Sequence, residues 1–577
     1  MPSSHSTQLD PRIRPRQWLD PAPVPLELDA LHEHKLLHAL LYRRGLRDPA
    51  EAVSFLGADA RHDLDSQLLP DFDLAVERIA AAVRNGERIG IFGDYDADGT
   101  TSAAILGLAL RAAGAGQRTH IRLPHRSEGY GLSGTAVDEF ASAGVQLLVA
   151  LDCGSSDHGQ VVYAQALGMD VVIVDHHQMH NDVPEGAIVV SAYRPDGGTY
   201  KELSAAGLTW LVVDGLYEAG VTIAPDGQGP EIYLDLAALG LIGDVSPMTG
   251  ASRTLTRAGL AQMVRHPRPG IAALAQTAKV DLGHLTTTDV SFRITPRLNA
   301  AGRMADPSLA LDLLLAPNPA VAYQLVLELE ELNSLRKIAT DQITRDAEQL
   351  IREQAAWQSQ PIVVVRSEGW QPGVVGIVAA KLAEAYDRPA VVLVEENGVL
   401  RGSMRSPDGF DVASALKSCA PLLRSHGGHR LAGGLSLDVA HADALIEQLG
   451  ALAAERTPEP LPILQLDAEL QDKHLNLEIA RLVRSLEPFG PGNEEPVFVL
   501  HNTRLHKYDV MGRDKQHLTL TIGNGRPVRA AFFNAAPRSR ELVGLRHVDV
   551  AFTLGESDWN GPKLDVHIKD FRVAEGN

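Results

Sequence analysis

Through the first half of the chain, short unbroken apolar runs take turns with longer stretches in which Ala and Leu recur at helical spacing. Arg88–Phe92, Gln146–Leu151 and Asp170–Val174 read as buried strands, each too short for a helix and bounded by turn residues. Thr101–Ala112 and Val161–Leu167 carry apolar residues at the three-and-four spacing of a helix face. Strand and helix in alternation predict the α/β class, a parallel sheet with crossover helices. Ahead of this region lies an irregular, Pro-containing lead-in. A helical stretch over Leu31–Gly45 follows, then a shorter helix ending at Leu56, with Asp48 as N-cap and Pro49 in its first turn.

From about Pro319 to Gln360 the spacing is helical, with Leu325, Leu329, Leu332, Leu335 and Ile338 on one apolar stripe among Glu, Arg and Lys. At roughly 1.5 Å per residue such a helix suits either a connector between two lobes or a long core helix. A second α/β unit starts at the strand Pro361–Val365 and passes a Gly-containing turn, Gly369–Gly376, into the helix Ile377–Tyr386. The strand Pro389–Val394, a loop over Arg401–Ser406 and the run His426–Gly434 complete it. From about Leu461 the pattern changes to short strands with turn signals: Val497–Leu500, His517–Ile522, Pro527–Phe533 and Val548–Leu554, the spacing of a small β-barrel. These patterns divide the chain into a lead-in over 1–60, a first α/β domain over 61–318, a connecting helix over 319–360, a second α/β domain over 361–458 and a barrel over 459–577.

A net charge of -20 argues against a uniformly basic nucleic-acid binder and leaves room for a local basic channel. Two cysteines, Cys153 and Cys419, cannot build a disulfide framework or a Cys-based zinc ribbon, so a reduced, cytoplasmic setting is expected. Cys153 reads as a small buried filler. Met1–Asp20 carries Arg12, Arg14 and Arg16 without an apolar core, so no signal peptide is expected, and no apolar run approaches membrane-spanning length.

The candidate chemistry sits where the predicted strands end. Asp94, Asp96 and Asp98 alternate directly after Phe92 and would converge on one side if the extended backbone continued through them. Three adjacent carboxylates raise one another's pKa unless a cation lies among them, so the motif fits a metal site; taken alone it fits a solvated acidic loop as well. Asp152 and Asp175 terminate the next two strands, and His176 and His177 follow Asp175. All start from the edge of a parallel sheet where ligands bind. Asp244, at the end of the apolar helical stretch Tyr233–Ile242, is a further candidate.

Asp94-Tyr95-Asp96-Ala97-Asp98-Gly99, Leu151-Asp152-Cys153-Gly154, Asp175-His176-His177 and Gly243-Asp244-Val245 resemble, in order, the four motifs of the DHH-family phosphoesterases. Gly427–Gly434 is similar to the glycine-rich run of that family's associated C-terminal lobe, with Gly433 where the family often has Ala. The resemblance extends over Arg293–Met304, Trp370–Leu382 and Glu487–Phe498, and points to the branch of bacterial single-strand exonucleases. It implies that Asp96, Asp98, Asp152, His176 and Asp244 hold two divalent ions, Mn2+ or Mg2+, with Asp152 bridging. Asp94 and Asp175 would bind or support them, and His177 would face the scissile phosphate. It further implies a single-stranded DNA path between two lobes and degradation from the 5′ end in repair and recombination, in company with a single-strand-binding protein and a helicase. Arg303, Ser403 and Arg405 are then expected at a 5′ phosphate, His429 at the DNA backbone, and Arg126 and Tyr130 at a phosphate and a base. For Tyr130, packing in the core is the favoured reading. The barrel resembles an oligonucleotide-binding (OB) fold. Two other readings are a DHH phosphoesterase of short oligonucleotides or cyclic dinucleotides and a non-catalytic single-strand-binding scaffold; the barrel counts against the first and the complete ligand set against the second.

Overall fold

Five short strands form a parallel sheet in the order Thr119–Arg122, Ile89–Gly93, Leu147–Leu151, Asp170–Val174 and Ile188–Val190. The three middle strands are aliphatic without alternation because both faces are covered. Ile89, Ile91, Leu147, Val149 and Leu151 pack under the helices Ala97–Ala112, Ala205–Glu218 and Leu234–Gly243, while Phe92, Leu148, Ala150 and Ile173 pack against Gly134–Ser142 and His158–Ala166. The two outer strands escape sequence detection for opposite reasons. Thr119–Arg122 is mostly polar, and Ile188–Val190 is only three residues long.

The computed structural model describes residues 15–25, 30–57, 64, 68–179, 182–354, 357–456, 462–512, 514–557 and 561–574. The first part of the lead-in, with Arg12 and Arg14, lies outside them. The chain divides into two units. One comprises 58–338 with 488–494; the other comprises 1–57, 339–487 and 495–577. The helix Pro319–Glu353 carries the chain from one to the other. Its apolar stripe is buried at Leu329, half-buried at Leu325 and Leu332, and exposed at Leu335 and Ile338, so the predicted face runs from core to surface. The second short helix, Pro49–Leu56, forms as its sequence dictates, the Asp48 carboxylate accepting from the Ala50 N–H at 2.7 Å.

The second unit contains a five-stranded mixed sheet in the order Ser425–His429, Ala432–Asp438, Val399–Arg405, Ala390–Glu396 and Val363–Glu368. Arg401–Ser406, expected as a loop, is instead largely strand, because Val399–Arg405 pairs antiparallel on both sides. Gly402 makes this possible: a Cβ there would lie 2.0 Å from the Val392 carbonyl oxygen. The glycine-rich run forms a hairpin with Ser425–His429 paired to Ala432–Asp438. Five strands, Phe498–Met511, His517–Ile522, Val528–Phe532, Lys563–Val573 and His547–Ser557, close into a barrel through the pairing of the first with the last. The strand Lys563–Val573, whose polar and apolar residues alternate as a one-sided barrel wall requires, is absent from the strands read in the sequence. The lead-in is not wholly irregular: Gln17–Leu19 pairs with Ile463–Gln465, and Asp570 accepts from Trp18 Nε1 at 2.8 Å. Among the described residues no helix is long and apolar enough to cross a membrane.

Candidate metal centre and nucleic-acid contacts

The strand Ile89–Gly93 delivers Asp94 to the carboxyl edge of the sheet, and the chain turns at once into the helix Ala97–Ala112. Asp96 caps that helix, its Oδ1 accepting from the N–H groups of Asp98 (2.9 Å) and Gly99 (3.2 Å). Extended backbone therefore stops at Asp96, and the helix begins four residues before the predicted Thr101. Asp98 points from the first helical turn to the start of the helix Ala205–Glu218. There it accepts from Ser204 Oγ (2.7 Å) and the N–H groups of Ala205 (2.8 Å) and Ala206 (3.0 Å). Gly99 lets this turn fold back on itself, since a Cβ would lie 2.4 Å from Asp94 N.

Asp152 follows its strand with a left-handed φ of 64°, a conformation Asp tolerates better than most residues. Its Oδ1 lies 3.2 Å from His176 Nε2, which is also 3.8 Å from Asp98 Oδ2. On the other side of the ring, His176 Nδ1 is 3.7 Å from Asp244 Oδ2. Asp98, Asp152, His176 and Asp244 thus meet from four separate segments. Asp94, Asp96 and Asp152 form one group of donor atoms within 4.8 Å of one another, and Asp152, His176 and His177 form another. Asp152 is common to both.

Burial and the charge of Asp96 push Asp94 up to about 8. Burial, with Asp98 and Asp96, raises Asp244 to about 8 as well. Asp152 is driven well above the carboxylate range by burial and by Asp98, Asp96, Asp94 and Asp244, while burial lowers His176 and favours its neutral ring. Asp94 Oδ1, Asp152 Oδ1 and His176 Nε2 are buried without a hydrogen-bond partner. A buried, mutually repelling set of oxygens with one neutral imidazole fits hard divalent cations and not a thiophilic metal.

Asp175 stands behind His177. Its Oδ1 accepts from His177 Nδ1 at 2.8 Å, and its Oδ2 accepts from the Ser155 N–H at 3.2 Å. Burial alone would raise Asp175; the hydrogen bond and charge of His177, with His176 and Ser155, bring it below the ordinary carboxylate range. His177 is correspondingly raised to about 9: burial lowers it, and the bond to Asp175 and the surrounding carboxylates outweigh that. Tyr130 is not a core residue. Its ring is 51% exposed, and its hydroxyl donates to the Asp152 carbonyl at 3.0 Å and lies 2.9 Å from His177 Nδ1. Cys153 is buried as a small filler.

Cations gather beside the acids. Arg126 stacks over Tyr95 with 4.2 Å from guanidinium carbon to ring centroid, and its Nε donates to the Gly302 carbonyl at 3.4 Å. Burial and the charges of Arg126 and Arg336 lower Arg303 to about 10. Arg336, on the helix Pro319–Glu353, was missed in the sequence, where it looks like any polar position between leucines. Asn299 was missed too; its Oδ1 accepts from the Ala97 N–H at 2.8 Å, fixing the acidic turn to the helix Thr295–Met304.

In the other unit, Ser403 and Arg405 lie on the strand Val399–Arg405 against the start of the helix Val375–Tyr386. A Cβ on Gly376 would sit 3.2 Å from Ser403 Oγ and 3.1 Å from Arg405 Nη2. This is a helix N-terminus lined by a hydroxyl and a guanidinium, an arrangement suited to phosphate. His429 ends the strand Ser425–His429 and is exposed at the hairpin.

A turn from far along the chain props the Asp244 loop. Gly490 and Asn493 exchange backbone hydrogen bonds of 3.0 Å, the Pro491 carbonyl accepts from Met248 N–H at 2.6 Å, and the Phe489 carbonyl accepts from Thr287 Oγ1 at 2.6 Å.

Known proteins share these features. The DHH family N-terminal domain matches residues 88–241, the DHHA1 domain 359–455 and the RecJ OB domain 466–570. The single-stranded-DNA-specific exonuclease RecJ of Salmonella typhimurium is 32% identical over 97% of this chain and 98% of its own, and that of Escherichia coli 32% over 95% and 97%. RecJ of Thermus thermophilus, solved in complex with Mn2+, superposes with a TM-score of 0.82 at 30% identity over 97% of this chain and 80% of its own. With its parallel DHH sheet, second α/β domain and closed C-terminal barrel, the chain belongs to the RecJ family of DHH proteins.

Proposed function

We propose that the protein is a metal-dependent exonuclease that hydrolyses single-stranded DNA from the 5′ end to mononucleotides, in DNA repair and recombination. The observation that carries this is the pair of donor groups sharing Asp152, with buried atoms of Asp94, Asp152 and His176 that no hydrogen bond satisfies. The RecJ relatives are single-stranded-DNA-specific exonucleases, and Thermus RecJ is solved with Mn2+ and with Mg2+. Asp96, Asp98, Asp152, His176 and Asp244 would hold two such ions here, with Asp94 binding them or supporting their ligands. When bound, the ions supply an activated water and a clamp on the attacking and leaving oxygens.

The chain's own residues do the rest. Asp98 and Asp152 are held in place by the Ser204 helix start and the strand end, which pre-orients them. Asp175 and Tyr130 orient His177, whose pKa the Asp175 hydrogen bond raises in the metal-free fold, so that it can hand a proton to the departing 3′ oxygen. Arg126, Arg303 and Arg336 neutralise backbone phosphates, and Ser403 with Arg405 at the helix start receives the 5′ phosphate. His429 adds a backbone contact, and the barrel grips the strand by base stacking without reading sequence. The divisions 61–318, 361–458 and 459–577 then serve as catalytic, associated and strand-gripping domains, in a cytoplasmic enzyme fed by a helicase and a single-strand-binding protein.

The test offers 5′-labelled single-stranded, duplex and dinucleotide substrates with Mn2+ and with chelator. Mononucleotides released only from the long single strand, and only with metal, are expected; cleavage of dinucleotides alone would overturn the reading.

A further inference from the structure

Phe292 is 77% exposed, more than any other large apolar side chain among the described residues. It lies in Val290–Ile294, a turn of π-helix whose end residues Val290 and Ile294 are buried. Wide turns of this kind are rare and frequently fall at functional sites. Arg293 fixes the turn from behind, donating to Asp289 Oδ1 at 3.0 Å and to the Ala278 carbonyl at 2.8 Å. The turn therefore holds Phe292 outward on a braced backbone.

Its position follows from the helix that continues the turn. Thr295, Asn299 and Gly302 fall at intervals of four and three on one face of that helix. All three touch the metal centre's frame: Asn299 bonds Ala97, a Cβ on Gly302 would meet the Tyr95 carbonyl at 2.6 Å, and Thr295 lies 3.3 Å from a Cβ placed on Gly243. Phe292 comes three residues before Thr295, and the π turn packs on the helix Leu234–Gly243, whose end leads into Asp244. Val245, next to Asp244, is 63% exposed and held at a φ of 60°, which a β-branched residue rarely adopts. One exposed apolar side chain thus adjoins Asp244 in the chain, and another stands on the turn packed against the helix that ends there.

Phosphates not held by metal are repelled by the carboxylates here, so the part of a single strand that can lie against this flank is the neutral face of a base. We propose that Phe292, on the turn packed against the helix that ends at Asp244, is a stacking platform for a base adjoining the scissile phosphate, a positioning role that rests on the nuclease reading above. It orders the strand at the metal centre without selecting sequence, since every base offers a π-face.

Steady-state kinetics on 5′-phosphorylated oligo(dT) with Mn2+ test this, using wild type, Phe292→Ala, Phe292→Leu and Phe292→Trp. The Ala and Leu variants should raise KM roughly tenfold with kcat changed less than about twofold, and Trp should restore KM. On an oligonucleotide made abasic over its first nucleotides, wild type should fall to the level of Phe292→Ala. Equal KM for wild type and Phe292→Ala on oligo(dT) would overturn the platform, as would an undiminished difference between them on the abasic strand. Sedimentation showing that Phe292→Ala dissociates a dimer would assign the ring to a second copy and overturn it too. Failure of wild type to cut oligo(dT) would instead remove the nuclease reading itself.

Discussion

Two like-charged clusters adjoin in the catalytic unit, and they bear their repulsion differently. Asp94, Asp152 and Asp244 can relieve it by holding protons, and their raised pKa values record that relief. Arg126, Arg303 and Arg336 have no such exit: Arg303, even pushed down to about 10, stays charged at neutral pH. The acidic cluster can therefore exchange protons for cations, whereas the basic one keeps its charge at every pH of interest. On the function proposed above, the first would take up metal and the second phosphate, which is what phosphodiester hydrolysis needs.

The largest effect is expected at the residue both donor groups share. Asp152→Ala should lower kcat on the order of a thousandfold or more, with metal stoichiometry falling by elemental analysis and the circular dichroism spectrum unchanged. Normal turnover with full metal loading would detach Asp152 from the centre.

Next is the charge on His177. His177→Gln keeps a polar side chain of similar length but carries no transferable proton, so kcat should fall roughly a hundredfold. Wild-type activity should decline as pH rises past about 9, where His177 loses its charge, and the variant should lack that limb.

On the basic side, Arg303→Ala should weaken single-strand binding by about tenfold at low salt and flatten the plot of log affinity against log salt by roughly one unit. An unchanged salt slope in a fluorescence-anisotropy titration would mean that Arg303 meets no phosphate.

The smallest effect is on stability, and its sign separates the clusters. Asp94 and Asp244 bind protons in the metal-free fold up to about 8 but release them near 4 when unfolded, so the native state holds more protons between those values. Metal-free protein should lose a few degrees of melting temperature as pH climbs through this window, and Mn2+ should return them, most at the alkaline end. A melting temperature of the chelated protein that rises with pH would reverse the assignment.

The acids at strand ends were legible because a parallel sheet places every such end on one edge, so Asp94, Asp152 and Asp175 could be aligned from the pattern alone. Asp96 and Asp98 were legible as residue types but not as geometry, since whether a carboxylate caps a helix or extends a strand depends on a turn only tertiary packing fixes. Arg336 and Asn299 were hidden inside ordinary helical periodicity. Tyr130 was misread because its ring leans toward His177 while its hydroxyl reaches the Asp152 carbonyl, and a lone Tyr in a Gly-rich loop gives no sign of either. Arg401–Ser406 was misread because glycine and charge imitate a loop where a neighbouring strand demands closeness.

The turn at Pro488–Glu494 bears on how the molecule can be taken apart. Gly490 and Gly492 have no side chain because a Cβ on either would run into Met248 (2.6 Å) or Thr249 (2.9 Å), directly after the Asp244 loop. A fragment of residues 58–338 expressed alone would keep every carboxylate and lose the wedge under one of them. Supplying that wedge in trans, as a separate C-terminal piece, should revive such a fragment.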